Sequence, residues 1–412
     1  MLLPFGLLLA LIAALPLNAP RFWEKYHPWA AALLGAITAS YYSLQTGGHS
    51  LLLHTAREYL SFITLVGSLY VVCGGIHIRV RGEATPRANC LLLLAGAVLA
   101  NLVGTTGASM LLIRPWIRMN KYRITDFHVV FFIFIVSNVG GLLSPVGDPP
   151  LFLGYLKGVP FWWVARHCWP LWAAAVGMLL GVFYMLDRRN FLRAPQSVRE
   201  EQTSHETWKL SGWRNVLILC AIQGGLLLPS GWREAAFVAA ALLAWLTTPK
   251  PVHEANDFDL HPLREVAWLF AGLFVTMLPA LELLQTHADT LGLRNPFTFY
   301  WATGLLSAVL DNAPTYLAFL SAACGLVGIS AQTDTPRFAV ENTEMLRAIS
   351  VSAVFFGALT YVGNGPNLMI KQIARHQKVS TPSFTAYILK FSFPILLPVL
   401  ALISLAFWKS LP

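Results

Sequence analysis

Two aspartates in this chain stand where an acidic side chain is costly. Asp148 closes the apolar run SNVGGLLSPVGD, and Asp311 interrupts another, SAVLDNAPT. A charge at the centre of a membrane helix costs on the order of 3 kcal/mol on insertion scales, normally offset by a partner, by water or by a bound cation. Neutral oxygen donors gather at related places: Thr105, Thr106 and Ser109; Ser144; Asn312 and Thr315; Thr360, Asn364 and Asn367. Carboxylates mixed with hydroxyl and amide oxygens are the donor set that hard cations such as Na⁺ accept. A buried carboxylate can also hold a proton in place of the metal. Each acid has a plainer reading as well. Asp148 before Pro149-Pro150 fits a helix cap with proline at the first helical position, and Asp311 could cap a helix or lie near the interface.

Asp148 belongs to a motif that occurs twice, 216 residues apart. Gly141–Pro150 reads GLLSPVGDPP and Gly357–Pro366 reads GALTYVGNGP. The copies share Gly141/Gly357, Leu143/Leu359, Val146/Val362, Gly147/Gly363 and Pro150/Pro366. Gly147 and Pro149 in one copy, and Gly363, Gly365 and Pro366 in the other, break what would otherwise be a membrane helix. Broken membrane helices at matching places in two halves mark a transporter's binding site. Half-helix N-termini suit an anion, whereas unwound carbonyls suit a cation. The architecture therefore admits a cation site, or a carboxylate substrate with co-transported sodium. Neither motif holds a lysine or arginine, nor do the polar stretches Asn101–Ser109 and Leu310–Thr315, and two aspartates would repel an organic anion unless cations screened them. Lys371 reads as a cytoplasmic helix-end residue, and Arg166 and His167 as outer-interface residues.

The elements that must position these groups are twelve apolar segments, at about 2–18, 28–44, 57–78, 89–113, 126–156, 160–186, 213–229, 232–248, 264–285, 297–327, 346–374 and 383–409. Residues 187–212 read as a cytoplasmic linker between two halves, and residues 249–263 as a solvated loop. Arg79, Arg81 and Arg87 precede segment four; Arg114, Arg118, Lys121 and Arg123 follow it. Basic flanks on both sides place both ends in the cytoplasm, so the segment dips in and returns, with Asn101–Ser109 as its tip. Gly104 and Gly107 serve as hinges there. Such backbone survives at membrane depth only inside protein or beside a wet cavity. Segment ten is the partner hairpin, its tip at Leu310–Thr315. A second offset, 207, sets Arg57-Glu58 against Arg264-Glu265 and Gly104–Gly107 against Asp311–Pro314.

The expected fold is an all-α polytopic membrane protein with two inverted repeats, each holding a re-entrant hairpin and a broken helix. The first repeat is 1–186 (scaffold helices 1–88, hairpin and broken helix 89–186). The second is 213–412 (scaffold helices 213–285, hairpin and broken helix 297–412). With both termini outside, cytoplasmic loops hold 20 of the lysines and arginines and outside loops 8, the bias the positive-inside rule requires. Glu58 and Glu265 are expected to pair with Arg57, Arg264 or adjacent loops, and Glu282 to stand on the outside as a candidate for ion access.

Composition agrees: 56% of residues are hydrophobic and 12% charged, about half the charge of a soluble domain. The net charge of +9 belongs to cytoplasmic loops rather than to nucleic-acid binding. The cysteines show no metal or disulfide spacing; no transition-metal site and no cofactor are expected. The apolar N-terminus lacks a basic leader and reads as a retained first helix. The tryptophans fit interfacial anchoring. No P-loop, HExxH, nucleophile elbow or dinucleotide fingerprint stands in a supporting context, so an enzyme is not expected.

SNVGGLLSPVGDPP (Ser137–Pro150) resembles the SNxGG…GDPP signature of the ion transporter superfamily, which includes NhaD-type Na⁺/H⁺ antiporters, arsenite permeases and citrate transporters. SAVLDNAPT (Ser307–Thr315) resembles that group's second-hairpin motif. The resemblance implies a scaffold and a mobile transport domain, a homodimer and an elevator-like step. It implicates Asn138, Ser144, Gly147, Asp148, Asp311, Asn312 and Asn364–Asn367. Leu151 departs from the asparagine that often follows GDPP. Gly104-Thr105 departs from an Asp-Asn pair, so one family acid is missing. Neither hairpin tip carries the Ser-Asn-Thr of dicarboxylate carriers. The expected function is a Na⁺(Li⁺)/H⁺ antiporter of a bacterial inner membrane, with Asp311 and Asp148 as exchanging acids. The alternatives are a cation-coupled citrate or carboxylate transporter, an arsenite or oxyanion permease, and a membrane-embedded structural subunit.

Overall fold

The computed structural model describes residues 1–79, 84–193, 209–331 and 333–410. Helices α1 (Leu3–Asn18), α2 (Pro20–Ser43) and α3 (Gly48–Gly74) come first, with proline in the opening turn of the first two. There its missing N–H costs nothing. Helices α2 and α3 begin before the segments expected at 28 and 57, because their first turns are helical but polar. Strand β1 (His77–Arg79) follows.

Helix α4 (Pro86–Met119) reverses at Gly104, whose φ of 77° and ψ of 156° suit glycine far better than any L side chain. Its arms lie side by side: Asn89 and Asn120 exchange amide hydrogen bonds of 2.8 and 3.1 Å. A straight helix would hold them about 46 Å apart. Next comes a helix in two pieces, α5 (Asp126–Ile135) and α6 (Pro149–Leu156), separated by a tight turn at Val139–Leu143 and extended chain. Helix α7 (Trp163–Arg193) is long and continuous, and strand β2 (Lys209–Ser211) pairs antiparallel with β1.

The second half opens with α8 (Trp213–Gly225), α9 (Trp232–Thr247) and α10 (Lys250–Ala255). Helices α11 (His261–Thr276) and α12 (Leu278–Thr286) form one path bent by 41°. Helices α13 (Pro296–Ser307) and α14 (Asn312–Leu326) make a second hairpin, capped at its start by Asn295, which accepts from Thr298 N at 2.9 Å. The rings of Phe299 and Phe319 meet across it at 6.2 Å. After α15 (Thr335–Glu341) comes a second helix in two pieces, α16 (Thr343–Phe356) and α17 (Gly365–His376). Helix α18 (Phe384–Tyr387), a π-helical stretch (Ile388–Leu396) and α19 (Leu397–Ser404) complete one apolar span.

Among the described residues five helical stretches are long and apolar enough to cross a bilayer, six with the bent α11–α12 pair; the α4 stretch, however, folds back on itself. Large apolar side chains such as Trp29, Leu33, Leu242 and Leu246 face outward, as lipid contact requires. The chain is an all-α polytopic membrane protein. At its centre lies α5, where Val129 to Ile135 are all buried; a helix apolar on every side belongs inside.

Two stretches expected to be solvated loops are ordered. Residues 187–193 continue α7, and Asp187 is wholly buried. Its carboxylate accepts two hydrogen bonds from Arg123, one from Asn89 Nδ2 at 2.8 Å, and lies 3.0 Å from His128 Nε2. Polarity there reflects a buried ionic network. The rest of the expected linker, 194–208, lies outside the described residues. Within 249–263, Asn256 donates to Gly74 O and Ile76 O at 2.8 and 2.9 Å, serving carbonyls left over where α3 ends.

Candidate functional site

Both breaks are built by the same close approach. A side chain on Gly147 would strike the Gly141 carbonyl; one on Gly363 would sit 2.7 Å from the Gly357 carbonyl. That contact folds each break into a compact turn and brings the next helix's start to the centre of the protein. The hairpin tips arrive there too: Thr105 N donates to Gly147 O at 2.8 Å, tying the first tip to the first break. Four helical starts, at Thr105, Pro149, Asn312 and Gly365, are thus knitted together by the bonds of one carboxylate.

That carboxylate is Asp148, 1% exposed. Its Oδ1 accepts from Thr105 Oγ1 at 2.7 Å and from Asn364 Nδ2 at 3.1 Å. Its Oδ2 accepts from Asn312 Nδ2. The three donors come from the first hairpin, the second break and the second hairpin. Asn364 occupies in the second motif the position Asp148 holds in the first, so acid and amide meet as counterparts. Four positive helix ends surround the carboxylate, a favourable field for negative charge. No described lysine, arginine or histidine forms an ion pair with it. Asn312 Oδ1 is buried and accepts no hydrogen bond. With Asp148 and Thr105 Oγ1 it makes an oxygen set of the kind that holds an alkali cation.

Around this centre lies a ring of amides. Asn138 Nδ2 donates to Asn367 Oδ1 at 2.7 Å and to Ile133 O at 2.8 Å, while its Oδ1 accepts from Asn364 at 3.1 Å. Asn367 Nδ2 reaches Gly357 O and Thr360 O at 2.8 and 2.9 Å. These bonds fix Asn364 toward Asp148 and satisfy the carbonyls of the second break. A small cavity of about 40 Å³ adjoins the acid. Phe62, Leu65 and Leu69 of α3 form one wall, and Gly104, Thr106 and Pro149 the other.

A family profile described as "Putative citrate transport" matches residues 1–408. The chain belongs to this citrate-transport family. It is also 25% identical to a "46 kDa membrane protein" of Mycobacterium leprae (strain TN) over 317 residues, 72% of this chain and 71% of that protein. Family membership makes it a membrane transporter.

Not every expected residue of the transporter reaches Asp148. Asp311 caps α14, accepting from Ala313 N at 3.0 Å. Thr315 Oγ1 turns back to Asp311 O at 3.0 Å. Ser144 and Thr360 pin the breaks: Ser144 Oγ donates to Asn101 O at 2.5 Å and Thr360 Oγ1 to Ala308 O at 2.6 Å. Each thereby ties its break to a hairpin tip. Thr106 lines the cavity. Gly107 packs on Cys73 inside the second arm of α4, and Gly365 borders open space. Glu58 pairs with Lys157 at 2.8 Å, not with Arg57 or Arg264. Glu282 accepts from Tyr42 Oη at 2.7 Å. Asn101 was missed as a site residue. It donates to Gly140 O at 2.7 Å and accepts from Leu143 N at 2.7 Å, holding the first break against the hairpin. Its position at the start of the polar tip was the available signal.

Proposed function

We propose that this protein is a secondary active transporter in which a monovalent cation, Na⁺ or H⁺, binds at Asp148 and drives the movement of citrate or a related small carboxylate. The observation that carries the reading is the Asp148 carboxylate, shared by donors from three other elements. One acid bonded to both hairpin tips and both breaks lets its occupancy control all four at once. A bound cation would draw on Asp148, Thr105 Oγ1 and the unused oxygen of Asn312. The cargo's own carboxylate would then meet a neutralised acid and four positive helix ends. Family membership and the helix ends favour a carboxylate cargo.

Movement would separate α3 from the hairpin tip and the break that face it across the cavity. In this reading the halves are inverted, both termini lie outside, and hairpins with broken helices move past a scaffold, an elevator-like step made in a homodimer. Asp311, already engaged as a cap, would shape the tip rather than exchange ions.

Na⁺(Li⁺)/H⁺ exchange is the second reading. The cavity is consistent with it: one water needs about 10–15 Å³, so the space of about 40 Å³ beside Asp148 has room for water or a small cation. The test is uptake and proton movement in proteoliposomes given NaCl, LiCl, KCl or sodium citrate. Citrate uptake that requires Na⁺ or a pH gradient, and is lost in Asp148→Asn, supports the proposal. Collapse of a pH gradient by NaCl or LiCl alone, with no citrate uptake, would overturn it in favour of exchange.

A further inference from the structure

Lys371 stands apart from the ion pairs among the described residues. It is half-buried, and its Nζ rests 3.9 Å from the centroid of the Tyr361 ring. No described carboxylate lies within ion-pair distance of it. Arg375, the next residue on the same helix face, adds a second positive charge one turn further on. An amine held over an aromatic face with no carboxylate partner keeps its charge free to attract an anion.

Its place on α17 connects it to the site. At 3.6 residues per turn, positions 367, 371 and 375 fall within an arc of about 80° on one face. Asn364 caps the start of that face and donates to Asp148. Exposure rises along it, from Asn367 at 0% through half-buried Lys371 to exposed Arg375. One face of α17 thus runs from the buried amide Asn367, through Lys371, to the exposed cation Arg375. Tyr361, which holds the amine, belongs to the second break itself, and its hydroxyl is fixed by Pro382 O at 3.2 Å.

We propose that Lys371, with Arg375 one turn beyond it, recruits the anionic cargo at the face on which α17 ends. The inference rests on the carboxylate reading given above. It makes Lys371 a specificity residue that acts on capture rather than on the transport step. Such a charge affects an encounter from one side only, the face on which α17 ends.

The test is uptake of radiolabelled citrate by the full chain in phosphatidylethanolamine–phosphatidylglycerol vesicles, with the two orientations assayed separately. Lys371→Gln is expected to raise the KM for citrate about tenfold from one face only, with maximal rate and opposite-face KM unchanged. Lys371→Arg should stay within about twofold of the parent, since the charge is kept. Raising ionic strength should weaken capture in the parent more than in Lys371→Gln. An unchanged KM on both faces, with normal uptake, overturns the role of Lys371; so does an equal rise on both faces. Absence of citrate uptake in the parent overturns the carboxylate reading instead, and the two failures are distinct.

Discussion

At Asp148 one oxygen takes two donors and the other takes one. Hydrogen bonds to a charged group contribute about 1.5–3 kcal/mol each, so the three donors offset part of the cost of burying this carboxylate without a basic partner. Asp311 is bonded by a single backbone amide at the start of α14. Asparagine caps a helix about as well as aspartate. Asp311→Asn is therefore expected to keep the fold and most of the transport rate, whereas Asp148→Asn is expected to fall to background. Initial rates for both variants at equal protein per vesicle check this pair. Loss of transport in Asp311→Asn alone would reverse the assignment of the two acids. The residue types at the centre were legible in the sequence because charge and amide are rare in apolar runs. Their partners were not: Asp148 bonds Asn312 and Asn364 at separations of 164 and 216 residues, and no local pattern specifies such pairings.

The hairpins and breaks were the most legible elements, since glycine, proline and small polar residues interrupt otherwise continuous apolar stretches. What remained hidden were the uses of polarity elsewhere. Asp187 and Asn256 sit in runs that read as solvated, yet both are buried and serve charges or carbonyls left by neighbouring helices. The turn at Gly104 gives the sharpest test at this scale. A Cβ there would lie 3.2 Å from Val146 O, and its positive φ with extended ψ adds about 1–3 kcal/mol for an L side chain. Gly104→Ala is expected to lower the Tm in detergent by a few degrees and to slow transport by more than that loss of stability explains, because Thr105 would shift from Asp148. An unchanged transport rate would show that the tip tolerates the shift.

Across the whole molecule, order rests on networks placed far from the centre. Asp187 joins α7 to Arg123, to His128 on α5 and to Asn89 at the foot of the first hairpin. Removing one partner of a buried ion pair typically costs about 3–5 kcal/mol, whereas replacing the pair with apolar groups can be neutral. Asp187→Ala should therefore lower the melting temperature sharply, and adding Arg123→Met should recover much of the loss; a double variant no better than the single one would refute the pairing argument. The short ladder of β1 and β2, with His77 opposite Ser211 and Arg79 opposite Lys209, has a different consequence. It returns the second half to the first through backbone hydrogen bonds between His77–Arg79 and Lys209–Ser211. Two separately encoded fragments, 1–200 and 201–412, are expected to find each other in the bilayer and to co-purify as one working carrier, with β2 as the clasp; fragments that pair only when β2 is kept would identify that clasp directly.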